Sequence, residues 1–271
     1  MAFLHPGAGV IPGLRRTRPD LRRRTGPCVL LLALVLALIP GSALAGGGRS
    51  AGEEQAWQAW QATQPYRFDL YRPGDFVSQA NPVQCVGASM QMMINLVSAR
   101  DDRSAATQQR LWQLARELSP PSPPSRPARR GASVQGWAAA LNRLDQGPYA
   151  VVGYSSLDDA LYYAARALRR TGRPVGLLVW GGRHAWVMSG FRATADPAAT
   201  SNFRVTHAIV LDPLYPLRST TWAPGPPPGS SLTPAELGRS FVPRGRGWQG
   251  SLPDTWVVVE PIDLQFRPRM L

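Results

Sequence analysis

The stretch Gln79-Ala-Asn-Pro-Val-Gln-Cys85-Val-Gly-Ala-Ser-Met-Gln-Met-Met-Ile-Asn-Leu-Val97 decides how the rest of the chain is read. Asn81 is a good helix N-cap and Pro82 suits a first helical position. The pattern predicts a helix over residues 85–99 with Cys85 in its first turn. Val86, Met90, Met93 and Val97 fall on one face, and Met92, Ile94 and Leu96 widen it. Only Gln84, Gln91, Asn95 and Ser98 form a polar stripe, so the helix is expected to be mostly buried. At its start, unpaired N–H groups and the positive end of the helix dipole are placed to receive a negatively charged sulfur. A free cysteine often only packs, so a nucleophilic and a packing Cys85 both stand at this point. Gln79 lies six residues before Cys85. Its side-chain N–H is close enough to point where an oxyanion would form, with the Cys85 N–H as a second donor. It is equally readable as a solvated loop residue.

A nucleophilic thiol needs a base within reach and a third group to orient that base. Beyond residue 45 the only histidines are His184 and His207, both in strand-like segments. His184 opens Arg-His-Ala-Trp-Val-Met-Ser-Gly190 after Gly181-Gly182, where it can project into a cleft edge. Asp212 ends the next apolar segment and can meet His184 across an antiparallel pair. His207 is five residues from Asp212 on the same segment, so their side chains point to opposite faces. His184 is therefore the expected base. Trp180 and Trp186 flank it as core residues or as cleft walls.

Gln79-x5-Cys85, Gly182-x-His184-Ala-Trp-Val-x-x-Gly190 and Val210-Leu-Asp-Pro213 together resemble a papain-like cysteine peptidase. The nearest branch is the bacteriocin-processing (family-39) peptidase-like domains. The resemblance spans roughly residues 65–215. By position it implies Cys85 as nucleophile, His184 as base, Asp212 as orienting acid and Gln79 as oxyanion donor. Two departures are visible: Val86 separates Cys85 from Gly87, and residues 193–202 look like an insertion. The branch's double-glycine leader substrate does not carry over, because no transporter segments accompany the cysteine.

Outward from the site, residues 53–63 read as a short helix with Trp57 and Trp60 on one side. Residues 66–71 and 149–152 read as strands, and 105–118 as a helix. Ser133, Ser156 and Thr233 read as caps of helices that follow them. Apolar, β-branched runs at 175–180, 185–190, 203–211 and 256–259 predict an antiparallel sheet. Proline-rich loops cover residues 120–127 and 223–228. The fold class expected is α+β, papain-like, with a helical first half packed on an antiparallel sheet from the second half.

Residues 1–45 read as a signal peptide: six Arg, a twelve-residue apolar run at 28–39, then Ala43-Leu44-Ala45. The run is short of the roughly 20 residues a membrane span needs. Removing this leader takes away six Arg and Asp20, so the net charge falls from +13 to +8. It also removes Cys28 and leaves Cys85 without an internal disulfide partner. Residues 46–64 are then a linker and short helix, and 65–271 the papain-like domain. The location expected is secreted or cell-surface, with membrane contact only during export.

All 30 basic residues are Arg, with 26 Gly and 27 Pro alongside. That points to a coding bias and weakens the case for nucleic-acid binding that the charge alone would make. Arg129-Arg130 and Arg169-Arg170 read as solvated faces. No zinc, calcium or nucleotide motif occurs, so no metal or cofactor is expected. Two functions are compatible with these residues. One is an exported thiol peptidase acting on peptides or proteins, with transpeptidation if an amine replaces water. The other is a non-catalytic papain-like module that binds peptide or an anionic cell-wall polymer.

Overall fold

The computed structural model describes residues 50–61, 63–99, 101–121, 131–219, 221, 224–245 and 252–263. The leader read over residues 1–45 lies outside them, as do Arg129, Arg130 and residues 122–127 of the first proline-rich loop. The chain divides into residues 1–48 and 49–271, and the elements of secondary structure among the described residues belong to the second unit.

These elements run α1 (Ala51–Gln61), β1 (Tyr66–Asp69), a 3-10 turn (Pro73–Asp75), α2 (Cys85–Asn95), α3 (Ala105–Glu117) and α4 (Val134–Arg143) among the described residues. Then come β2 (Tyr149–Tyr154), α5 (Leu157–Thr171), β3 (Val175–Val179), β4 (His184–Ala193), β5 (Val205–Leu211), β6 (Ser230–Leu232), α6 (Pro234–Leu237) and β7 (Trp256–Pro261). The seven strands form one sheet in the order β2-β7-β3-β4-β5-β6, with β1 on β4. All pairings are antiparallel. The fold class is α+β, as the sequence indicated.

Helices cover both faces of the sheet. Side chains alternate along each strand, and both faces are apolar. Leu177, Val179, Trp186, Met188, Val210 and Val258 pack with α5. Leu178, Ala185, Val187, Leu211, Val257 and Val259 pack with α2, α3 and α4. A sheet apolar on both faces must be covered twice, and α5, amphipathic and capped by Ser156, supplies the second layer.

Local signals account for most helix starts. Ser133 and Ser156 accept N–H bonds from the third residue on, and Thr233 forms a capping box with Glu236. The cap expected at Asn81-Pro82 is not formed. The helix begins at Cys85 with Gln84 as N-cap. Asn81 Oδ1 instead accepts the Val83 N–H at 3.1 Å in a preceding turn. The polar stripe of α2 is buried at Gln84, Gln91 and Asn95. Gln91 and Asn95, each 1% exposed, donate to the Asp102 carbonyl at 2.8 and 3.0 Å, tying the segment that leads into α3. Gly87 explains the close approach of these helices, since a Cβ there would stand 2.8 Å from both the Gln108 carbonyl and Trp112 Cβ.

Candidate active site

Cys85 is the first residue of α2 and is half-buried. The first backbone bond of the helix runs from Ala88 N–H to the Gln84 carbonyl. The N–H groups of Cys85, Val86 and Gly87 therefore precede the helical ladder, and Gln84 makes no side-chain cap bond to them. One turn on, Ser89 Oγ donates to the Ala185 carbonyl at 3.3 Å. That bond pins α2 beside the start of β4, where His184 stands.

His184 is held by a tight hairpin. It pairs with Val179 across β3 and β4, so residues 180–183 make the turn. Trp180, Gly181 and Gly182 all have positive φ, at 56°, 62° and 100°. Glycine takes such a backbone freely, whereas a bulky side chain is strained by it. Trp180 is retained there by packing and by its backbone. Its ring stacks on the His184 imidazole at 4.3 Å with 22° between planes, and its backbone N–H donates to the Ser240 carbonyl at 2.8 Å.

His184 Nε2 lies 2.6 Å from Asp212 Oδ1. The register that pairs Val187 with Leu211 makes the two residues diagonal neighbours on adjacent strands. Both are buried, at 5% and 0% exposed. Burial is the largest influence on the imidazole and lowers its pKa. It is outweighed by hydrogen bonding of the ring to Asp212 and Cys85 and by their charges, which lift His184 to about 9. With Nε2 given to Asp212, Nδ1 is the ring nitrogen left for the Cys85 sulfur. Asp212 Oδ1 also accepts the Leu214 N–H at 2.8 Å. Its Oδ2 is buried without a hydrogen-bond partner among the described residues and faces Gly225, where a Cβ would stand 2.0 Å from that oxygen.

Gln79 is 7% exposed, not a solvated loop residue. Its backbone N–H donates to the Pro213 carbonyl at 2.7 Å, which ties it to the turn that follows Asp212. Its Nε2 donates to the Asn81 carbonyl at 2.9 Å, leaving one amide N–H for another acceptor. His207 is elsewhere. It pairs with Arg192, eight residues along β4 from His184, or about 26 Å at strand spacing. Trp186 and Trp180 are both core residues, at 2% and 7% exposed, and Trp180 stacks on the imidazole.

Sequence reading missed Ser89, Gly225 and the buried Gln108, whose amide bonds both neighbours of Gln79. None of these carries a local signal, because each partner is distant in the chain. Among the described residues, no group of three His, Cys, Asp or Glu side chains could hold a metal ion, and no helix is long and apolar enough to cross a membrane.

No family model matches the sequence, and no curated protein does. Among solved structures the chain is similar to UfSP from C. elegans, at 15% identity and a TM-score of 0.36. The likeness covers 69% of this chain and 32% of that one, so this chain matches about a third of that protein's length.

Proposed function

We propose that this chain is an exported, papain-like cysteine peptidase that hydrolyses peptide bonds through Cys85, His184 and Asp212. The observation that carries the reading is the 2.6 Å bond between His184 Nε2 and Asp212 Oδ1, with Cys85, at the start of a helix, close enough to the same ring to help raise its pKa. A buried carboxylate that fixes one ring nitrogen leaves the other to work on the thiol. His184 holds the proton that the thiol gives up, and Sγ attacks the scissile carbonyl. The Cys85 N–H and the second Gln79 N–H hold the oxyanion. The C–N bond then breaks, and the amine leaves with the proton returned by His184. Water, activated by the same ring, hydrolyses the thioester. An amine in place of water would give transpeptidation. The spacing Gln79-x5-Cys85 supports the bacteriocin-processing (family-39) branch as the nearest relation.

A second reading, a non-catalytic module that binds peptide or an anionic cell-wall polymer, is favoured by one observation: the Gln79 amide is already engaged with Asn81. p-Nitrophenyl acetate separates the two. The peptidase reading expects p-nitrophenol release and fast iodoacetamide labelling at neutral pH, both lost in Cys85→Ala. A wild-type protein that neither cleaves the ester nor labels quickly supports the binding module. Export is proposed on the leader's composition. Intact mass of secreted protein should place the N-terminus at or near Gly46, and a retained leader refutes it.

A further inference from the structure

The two oxyanion donors, the Gln79 amide and the Cys85 N–H, belong to separate segments, residues 78–80 and the start of α2. The Asn81 carbonyl joins them locally, accepting the Gln79 Nε2–H at 2.9 Å and the Gln84 N–H at 3.2 Å. A second tie comes from α3, which touches both.

Gln108 is 1% exposed. Its Oε1 accepts the Ala80 N–H at 2.6 Å, and its Nε2 donates to the Ser78 carbonyl at 3.0 Å. One planar amide thus spans Gln79, bonding the backbone on either side of it. The next residue on α3, Gln109, accepts through Oε1 from Nε2 of Gln84, the residue just before Cys85. Gly87 lets α2 lie against Gln108 itself. From the opposite side, the Gln79 N–H is bonded to Pro213, and Ser78 Oγ donates to the Tyr215 carbonyl at 2.6 Å. The backbone around Gln79 is therefore tied to α3 on one side and to the turn after Asp212 on the other.

We propose that Gln108 is a positioning residue that sets the Gln79 amide against the Cys85 N–H and so shapes the oxyanion hole. This rests on the peptidase reading of Cys85 and Gln79. Gln108 touches no reacting atom and acts only through the backbone of residues 78–80. A displacement of about 1 Å at an oriented donor is enough to cost about a hundredfold in rate, and loss of one oxyanion donor costs about 100- to 1000-fold.

The test uses the full chain with p-nitrophenyl acetate and iodoacetamide. The ester reaction forms a Cys85 acetyl thioester and releases p-nitrophenolate, and it passes through an oxyanion. Alkylation by iodoacetamide forms an Sγ–C bond, expels iodide and makes no oxyanion. Gln108→Leu removes both amide bonds. Gln108→Glu keeps the shape and the Ala80 bond but sets an acceptor against the Ser78 carbonyl. Both variants are expected to lower kcat for ester cleavage about 10- to 100-fold, with KM and the Cys85 alkylation rate within twofold of wild type. In a Gln79→Ala background the same changes should lower kcat no further. Equal losses in ester cleavage and alkylation overturn the proposal, because they mark a general structural role. Additive losses in the Gln79→Ala background also overturn it. If Gln108→Leu does not fold, the isosteric Gln108→Glu decides, and an unchanged kcat there overturns the proposal. A wild type with fast alkylation and Cys85-dependent ester cleavage, but insensitive to Gln108, removes this proposal alone. A wild type lacking both removes the peptidase reading and this proposal with it.

Discussion

Raising the pH should destabilise this protein through His184, and Asp212→Asn should remove most of that effect. The imidazole is held at about 9 against an ordinary 6.5. That difference corresponds to about 3 kcal/mol. A histidine with a raised folded pKa contributes stability that is fully present below its unfolded value and lost as pH rises through the folded one. The window is therefore roughly pH 6.5 to 9. For a unit of this size, 1 kcal/mol moves Tm by about 2–4 °C, so Tm should fall by about 6–12 °C across the window. Glu260 complicates the lower edge. Burial pushes it up to about 7, against a hydrogen bond from Tyr154 that lowers it, so it adds its own decline as pH rises from 4.5 to 7. The comparison that isolates His184 is between wild type and Asp212→Asn from pH 7.5 to 9.5, with Glu260 common to both. In the variant, burial still lowers the imidazole pKa and only Cys85 opposes it. The slope should flatten. Calorimetry at fixed ionic strength gives Tm, and long-range proton–nitrogen NMR of the imidazole gives the titration directly. Equal slopes in the two proteins, or His184 titrating near 6.5 in the wild type, would refute the reasoning.

The same geometry sets two further outcomes. Gly225→Ala places a Cβ 2.0 Å from Asp212 Oδ2 while the other carboxylate oxygen is committed to His184 and Leu214, so we expect a loss of about 1–3 kcal/mol and at least tenfold slower ester cleavage; activity within twofold of wild type would mean that the carboxylate's orientation is unimportant. His184→Ala should abolish ester cleavage and slow Cys85 alkylation, whereas His207→Ala, far along the sheet, should leave both within twofold and act on Tm instead; the reverse pattern would reassign the base.

The parts of the fold that were legible in the sequence are those settled by neighbours in the chain. Ser133, Ser156 and Thr233 cap their helices because a cap needs only the N–H three residues on. The run at 175–179 reads as a strand because it is apolar throughout, with β-branched Val175 and Val179 at its ends. Asn81-Pro82 carries an equally strong local signal, yet no helix starts there. Its neighbours Gln79 and Ala80 are bonded to Pro213 and Gln108, and those distant bonds hold the segment out of the helix. The polar stripe of α2 finds its partners at a distance for a related reason. Residues 101–104 cross it, and Gln91 and Asn95 donate to carbonyls there. The second helical layer is also hidden, because α5 reads as an ordinary amphipathic helix until both sheet faces are seen to be apolar.

The site divides along the same line. His184 could be separated from His207 by strand parity, since a carboxylate five residues away on one strand faces the other side, and the 2.6 Å contact obeys that rule. What parity does not give is the charge on the ring. Burial disfavours imidazolium, and Asp212 and Cys85 both act against it. The three groups are therefore energetically one unit, and removing either partner shifts the remaining pair toward the uncharged ring. Single substitutions at Cys85 and Asp212 should not add in their effect on that ring. The same coupling explains the demands placed on the surrounding backbone. A positive φ at Trp180 and a bare glycine at Gly225 are both unfavourable or restrictive on their own, and each places something against the one imidazole–carboxylate pair. Residues that look unrelated in the sequence are constrained together because they close the same buried charge from opposite sides.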